Sequence, residues 1–509
     1  MAQSDRRRLH ALVTLYVALA LGWVAFARWI VPPLLIEERP GRILAFVKRS
    51  IQNVPAPFLT RDILGCWREF SEAVLIALVL HLSLVLILRR EDLRGAEGRA
   101  SADARPGRHG RFVLLIVPLA FLAVTVLSGA RHDYFLYLQM WCEVRLGHDP
   151  WFTVFGINGE MPLNAYGPLF NLLAALSWVN PLAPKLLFAY GYILFVISQI
   201  KGFTARRPPT GLRSIVLPAL FWNPFPWVEI AIRGHFDILV GLLCLGTIRA
   251  WSRGHDIRAG LCLALGVLLK FFPVVLLPSL ALDRGRLRPR FLKVAMASIT
   301  LGLGLSCYLW GLSTLSPLML AATRRSTVLS IFRYIRGPYS PLVWFGLAMN
   351  YDYLAPIFLF VALLCAWRWS WTRHPDVEAS AVVAVTATVL FYHTGYPQYQ
   401  MVPFVLGSSW AVRHREQIRG RAVLVVAIAC YFGWLAAFDV YYSFVDEGGS
   451  ALYWYFAQDV VGLPSFLFGC AFLGSVVWSE PSEDESGVHQ PETGGEDAEG
   501  PGGVACPPA

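Results

Sequence analysis

Ionisable side chains stand beside or inside long apolar runs in this sequence of 509 residues. Such groups are costly in hydrocarbon, which makes each a candidate for chemistry. Asp133, flanked by His132 and Tyr134, follows one apolar run, and Arg233, His235 and Asp237 precede another. Lys270 interrupts a third run and His393 follows a fourth, while the stretch 312–340 adds Arg324, Arg325, Arg333 and Arg336. The set suits transfer of a group between a lipid phosphate or pyrophosphate carrier and a hydroxyl. A carboxylate at a membrane surface can take the proton of the acceptor hydroxyl. Arginines can grip the leaving phosphate through paired N–H groups and stabilise the charge that develops on it. No nucleotide signature accompanies them, neither a GxxxxGK[ST] loop nor a strand-linked GxGxxG.

Each candidate also has a plainer reading. Asp133 with His132 would serve to end a helix among lipid headgroups, and the loop arginines would serve to contact those headgroups. His393 suits a polar group satisfied inside a bundle, and Lys270 can snorkel or cap a helix break. Tyr134, Tyr137, Trp141 and Trp151 have the character of interface anchors, a minority of which could stack on a sugar or isoprenoid.

The elements that position these residues must lie in a membrane. Hydrophobic residues make up 56% of the chain and charged ones 15%, against roughly 25% charged in soluble domains. Mean hydropathy is +0.51, and apolar surface on that scale has to be hidden from water. The net charge of +10 does not mark a nucleic-acid partner, because Lys and Arg sit between apolar runs, where they set topology. Nine cysteines without a CxxC argue against a disulfide framework or a zinc site.

A span needs roughly 20 mostly apolar residues. Candidates fall near 10–30, 72–89 and 111–129, with a fourth ending near 201, then 213–228 and 235–252. Further ones lie near 292–311, 352–369, 378–391, 400–412, 422–440 and 456–478. Between them, AGLCLALGVLLKFFPVVLLPSLAL (259–282) has basic flanks on both sides and is broken by Lys270 and Pro273. It reads as a re-entrant pair of half-helices. The segment 131–170 mixes aromatics and charges at roughly helical spacing, broken by glycine and proline, as interfacial amphipathic helices do. With the N-terminus cytoplasmic, the candidate residues collect on the extracytoplasmic side. The stretch 38–70 also falls outside, although it carries six Lys and Arg.

Three blocks carry a family resemblance. Asp133-Tyr134, Gly147-His148-Asp149-Pro150-Trp151 and Tyr166-Gly167-Pro168-Leu169 resemble the first extracytoplasmic loop of GT-C glycosyltransferases. The likeness is to bacterial polyprenol-phosphate-mannose-dependent mannosyltransferases and to GPI mannosyltransferase I. FWNPFPWVEIAIRGHFDILVGLL resembles the W-N-P…E…G/A-H-x-D segment of the bacterial α-1,6-mannosyltransferases, and the stretch centred on Lys270 resembles the family's broken helix pair. Together the blocks cover about 130–282; the first two spans precede the resemblance.

The spans already read give an all-α polytopic membrane protein of about 12 transmembrane helices with a re-entrant pair and interfacial helices in the first large outer loop, and the resemblance implies that this bundle is GT-C-like. Residues 1–110 then form a two-span extension with a basic linker, 111–478 the catalytic domain, and 479–509 a disordered acidic cytoplasmic tail. It implies inverting transfer of a sugar, mannose by resemblance, from a polyprenyl-phosphate donor to a lipid- or glycan-linked acceptor, on the extracytoplasmic face of a bacterial plasma membrane. Asp133 is then the general base. His132, Tyr134, Asp149, Tyr166, Arg233, His235, Asp237, Lys270, Arg333, Arg336 and His393 are the expected substrate-binding residues. Membrane lipids are the remaining partners, and no cofactor or metal is expected beyond the donor. Two rival readings stand beside this one: a multi-span lipid or sugar transporter, which commonly shows inverted repeats, and a ligase or polymerase moving whole glycans between lipid carriers.

Overall fold

The structure is a computed structural model that describes residues 3–32, 63–98, 108–130, 133–151, 164–204, 223–283, 286–323, 325–337, 340–345, 351–414, 422–445 and 460–479. His132, Arg324, the interior of loop 38–70, residues 152–163 and the acidic tail lie outside these.

Helices build the fold. Six described stretches are long and apolar enough to cross a membrane: His10–Ile30, Leu64–Leu88, Ala183–Ile200, Pro289–Ala321, Asp352–Arg373 and Gly462–Ser479. They fall in or beside spans expected from hydropathy. The first two belong to α1 (Gln3–Ala25, continued by a π turn to Ile30) and α2 (Ile63–Gly98). These pack on each other through Trp67, whose Nε1 donates to the Ala27 carbonyl at 2.7 Å, and through Tyr16 against His81. The pair is joined to the rest through α3 (Arg108–Leu127) and α7 (Ala183–Thr204). A Ser83–Tyr190 hydroxyl pair at 2.7 Å links α2 to α7.

Between α3 and α7 lie the short helices α4 (Asp133–Arg145), α5 (Pro168–Leu172) and α6 (Ala174–Val179). Gly147, at φ +78°, turns the chain after α4 in a conformation that a side chain resists. A π-helical turn, Trp227–Ile232, leads into α8 (Asp237–Ser252) and α9 (Asp256–Leu269). The expected span 235–252 therefore begins two residues late, and His235 sits in the turn ahead of it.

The apolar stretch 259–282 is broken where expected. Helix α9 ends at Leu269, Lys270 is extended (φ −155°, ψ 126°), and a 3₁₀ turn (Phe272–Leu276) and α10 (Leu277–Ala281) follow. The chain then reverses through a two-residue ladder, β1 (Leu282–Asp283) with β2 (Arg286–Leu287). It comes back to its starting point: Arg288 reaches Asp256 at 3.2 Å and covers the Trp251 ring at 3.9 Å.

Helix α11 (Pro289–Trp310) packs on α9. Then come α12 (Ser316–Thr323), α13 (Ile331–Arg336), α14 (Pro341–Trp344), α15 (Ala355–Arg373), α16 (Val377–Phe391), α17 (Met401–Arg413), α18 (Ala422–Val445) and α19 (Gly462–Ser479). Helix α16 is buried on every face from Glu378 to Leu390, as its all-round apolar composition requires.

Helices α8, α9, α16 and α17 have 16, 14, 15 and 13 residues. Each rises 1.5 Å per residue and so stops short of the roughly 30 Å hydrocarbon thickness. α8 and α17 start, and α9 and α16 end, at one and the same end of the bundle. There the chain is unwound at 233–236, 270–271 and 392–396, the last followed by a 3₁₀ turn (Pro397–Gln400) that leads into α17. Irregular backbone at such depth is tolerated where protein buries it or where it lines a cavity.

Candidate active site

Asp133 opens α4, and its side chain is 42% exposed while every group behind it is buried. His235 Nε2 lies 3.1 Å from Asp133 Oδ2, and His235 Nδ1 lies 2.5 Å from Glu229 Oε2. Arg233 Nη1 donates to Glu229 Oε1 at 2.7 Å and to Asp439 Oδ1 at 2.9 Å. Gln398, from the 3₁₀ turn that leads into α17, donates to the same Asp133 oxygen at 3.4 Å.

Local backbone explains why these groups meet. The wider π turn over Trp227–Ile232 presents Glu229 four residues before Arg233 and six before His235. Gly234 then turns the chain at φ +74°. Its missing side chain makes room for Tyr134: a Cβ there would lie 2.7 Å from the ring. Tyr134 is fully buried, its hydroxyl donating to the Pro181 carbonyl at 2.5 Å. Lys185, also buried, donates to Ser128 Oγ and to the carbonyls of Gly129 and Ile232, each at 2.7 Å. It therefore ties the end of α3, the π turn and the start of α7 into one frame around Asp133.

A second group lies alongside. Lys270, released from α9 at the helix break, pairs with Asp237 at the start of α8. Its ammonium sits 4.0 Å from the Tyr399 ring centroid, with Phe236 at 5.5 Å and Tyr166 at 5.9 Å. The Tyr166 hydroxyl reaches Tyr137 at 3.2 Å.

Burial alone would raise the Asp133 carboxyl. The hydrogen bond from His235 and that residue's positive charge outweigh it and hold Asp133 below the usual carboxylate range. Burial opposes the charge on His235 too, but Glu229 and Asp133 outweigh it and push the imidazole up to about 9. At neutral pH the pair is a carboxylate held by an imidazolium.

The remaining expected residues are placed as follows. Asp149 accepts from the Trp151 amide at 2.9 Å and shapes the turn after α4. His393 is buried, its carbonyl accepting from Thr327 at 3.2 Å. Leu329 donates to the Gly395 carbonyl at 2.9 Å, joining 392–396 to the start of α13, which carries Arg333 and Arg336. Arg336 pairs with Asp352 at 3.2 Å. His132 and Arg324 lie outside the described residues.

Glu229, Asp439, Lys185, Gln398 and Tyr399 belong to this arrangement and were not among the expected site residues. Asp439 and Lys185 carry the signal that picked out the others, a charge inside or at the edge of an apolar run. Gln398 and Tyr399 carry none: uncharged polar residues after a span are common. Among the described residues no group of His, Cys, Asp and Glu is arranged to hold a metal ion.

A bundle of membrane-length apolar helices makes this a membrane protein. A family model, Glycosyltransferase family 87, matches residues 164–392, somewhat less than half of the chain. That family is one of GT-C-like membrane glycosyltransferases, so the match indicates a membrane glycosyltransferase, working with a sugar donor and an acceptor. The matched stretch includes Lys185, Glu229, Arg233, His235, Asp237, Lys270, Arg333 and Arg336, and ends one residue before His393. Asp133 precedes it. No curated protein and no solved structure matches the chain.

Proposed function

We propose that this chain transfers a hexose, mannose by resemblance, from a polyprenyl-phosphate donor to a lipid- or glycan-linked acceptor on the extracytoplasmic face of the membrane. The observation that carries the proposal is Asp133: a half-exposed carboxylate, kept ionised by a buried imidazolium, at the unwound end of the bundle.

In this reading the acceptor hydroxyl attacks C1 of the donor sugar from the face opposite the phosphate. The C1–O bond to phosphate breaks, configuration inverts, and the hydroxyl proton passes to Asp133. The polyprenyl phosphate leaves as an anion. Lys270, Arg333 and Arg336 supply the positive charge near that end of the bundle, while Tyr166 and Tyr399 flank Lys270 and offer faces to a sugar. The short helices α4 to α6 lie at the interface, and 259–282 enters and leaves on the cytoplasmic side, as the return of Arg288 to Asp256 supports.

Basic side chains at the other end support the orientation. Arg253, Arg258, Arg288, Arg290, Arg373 and Arg413 gather where α8, α15 and α17 end and α9 and α11 begin. Positive charge of this kind marks the cytoplasmic side.

The test is transfer of radiolabel from polyprenyl-phosphate [¹⁴C]mannose to endogenous glycolipid, in membranes with and without the protein and with Asp133→Asn. Protein-dependent incorporation of single sugars, lost in the variant, is expected. Movement of preassembled glycan would favour a ligase, and movement of intact donor across vesicles would favour a transporter.

A further inference from the structure

The ring nitrogens of His235 both face carboxylates, Asp133 on one side and Glu229 on the other. A carboxylate only accepts, so both nitrogens must donate, and the ring that satisfies both partners is the imidazolium. The Glu229 contact is the shorter of the two and is completely buried. Glu229 is itself held by Arg233, and Arg233 by Asp439 of α18. Three carboxyl groups and two cationic side chains thus form a chain of contacts from the open end of the bundle to Asp439 in the interior of α18. Four of the five are no more than 5% exposed. A relay so costly to bury needs a purpose beyond packing, and Asp133 is the one member that reaches the open space.

We propose that Glu229, backed by Arg233 and Asp439, is a positioning residue that keeps His235 doubly protonated and thereby aims an ionised Asp133 at the acceptor hydroxyl. The inference rests on the reading of Asp133 as the base. Loss of one proton from His235 turns one ring nitrogen into an acceptor facing a carboxylate; Glu229 keeps Arg233, so the contact that weakens is the one to Asp133, whose other donor is the more distant Gln398. Transfer therefore has an upper pH limit set from inside the bundle.

The groups that face His235 are Asp133 and Tyr137 of α4, Glu229 of the π turn and Asp237 of α8, with Arg233 behind Glu229. Asp237 is held by Lys270. Glu229 is the group whose negative charge is permanently buried against the ring, so its removal should move the limit most. An opposite charge at this range moves a titration by about 1–3 pH units.

The experiment is the pH dependence of kcat at saturating polyprenyl-phosphate [¹⁴C]mannose, in membranes holding equal amounts of full-length wild type, Glu229→Gln and Glu229→Asp. Wild type should lose activity on a limb centred near pH 9. In Glu229→Gln that limb should shift down by about 1–3 pH units, so that activity at pH 8.5 drops about fourfold or more below its own value at pH 6.5. Glu229→Asp, which retains the charge, should hold the limb near the wild-type position. A merely structural Glu229 would scale the whole profile and leave the limb in place, and that result overturns the proposal. If Glu229→Gln fails to accumulate, the wild-type curve decides: a fall near pH 9 supports the relay, and a flat curve to pH 10 ends it. Failure of the underlying reading shows separately, because Asp133→Asn would then turn over at near the wild-type rate whatever Glu229 does.

Discussion

At the scale of single residues, one carboxylate carries the proposal. A general base contributes about 10²–10⁴-fold, equivalent to roughly 3–5 kcal/mol of transition-state stabilisation. Asp133→Asn keeps the shape and removes the base, so kcat should fall by about that factor. The amount of protein in the membrane should stay unchanged, because the side chain is partly in solvent. Retention of more than about a tenth of wild-type turnover would place the base elsewhere. The pH profile follows with its sign. The Asp133 carboxyl is held below its usual range by His235, so the active carboxylate is present at neutral pH and is lost only as pH falls through that lowered value. Activity at pH 5, relative to pH 7, should therefore be nearly complete in wild type, provided the membranes stay intact. A fall already centred above pH 5 would show that His235 does not hold Asp133 ionised.

At the scale of elements, what matters is where helices stop. α8, α9, α16 and α17 end or begin together, and the backbone released at each carries a polar group to the same place: His235, Lys270 and Gln398. Gly234 is a tight and strained point of this assembly, with φ +74° and the Tyr134 ring directly behind it. Gly234→Ala combines backbone strain with a ring displacement, and such strain costs about 1–3 kcal/mol. A lower unfolding midpoint in detergent is expected, together with loss of activity, since the same ring adjoins Asp133 in sequence. An unchanged midpoint would mean that the turn adapts without strain.

At the scale of the whole molecule, the charge network and the basic helix ends occupy opposite ends of the bundle. The orientation this supports is testable with single cysteines introduced after replacement of the native nine. Leu146, 62% exposed just after α4, should react with a membrane-impermeant thiol reagent in intact cells. Arg253 and Arg290, at the turn after α8 and the start of α11, should react only after permeabilisation. If Arg253 and Arg290 reported different sides, the stretch between them would cross the membrane fully. If Leu146 were protected in intact cells, the proposed face of catalysis would be wrong.

What the sequence determined by itself was the membrane, the helices and the acidic residue worth testing. Apolar runs of about 20 residues have one stable solution in a bilayer, and a charge beside such a run stands out against them. The break at Lys270 was legible for the same reason, a lysine and a proline in an otherwise apolar stretch. The partnership of Asp133 with His235, of His235 with Glu229, and of Arg233 with Asp439 was decided only by the tertiary structure. Those pairs lie up to 206 residues apart, and no local periodicity encodes which helix ends meet. Gln398 and Tyr399 bear no mark in the sequence, because an uncharged side chain carries no penalty there that singles it out. Their place opposite Asp133 and Lys270 arises from the packing of α16 and α17 against α8 and from the early end of all three.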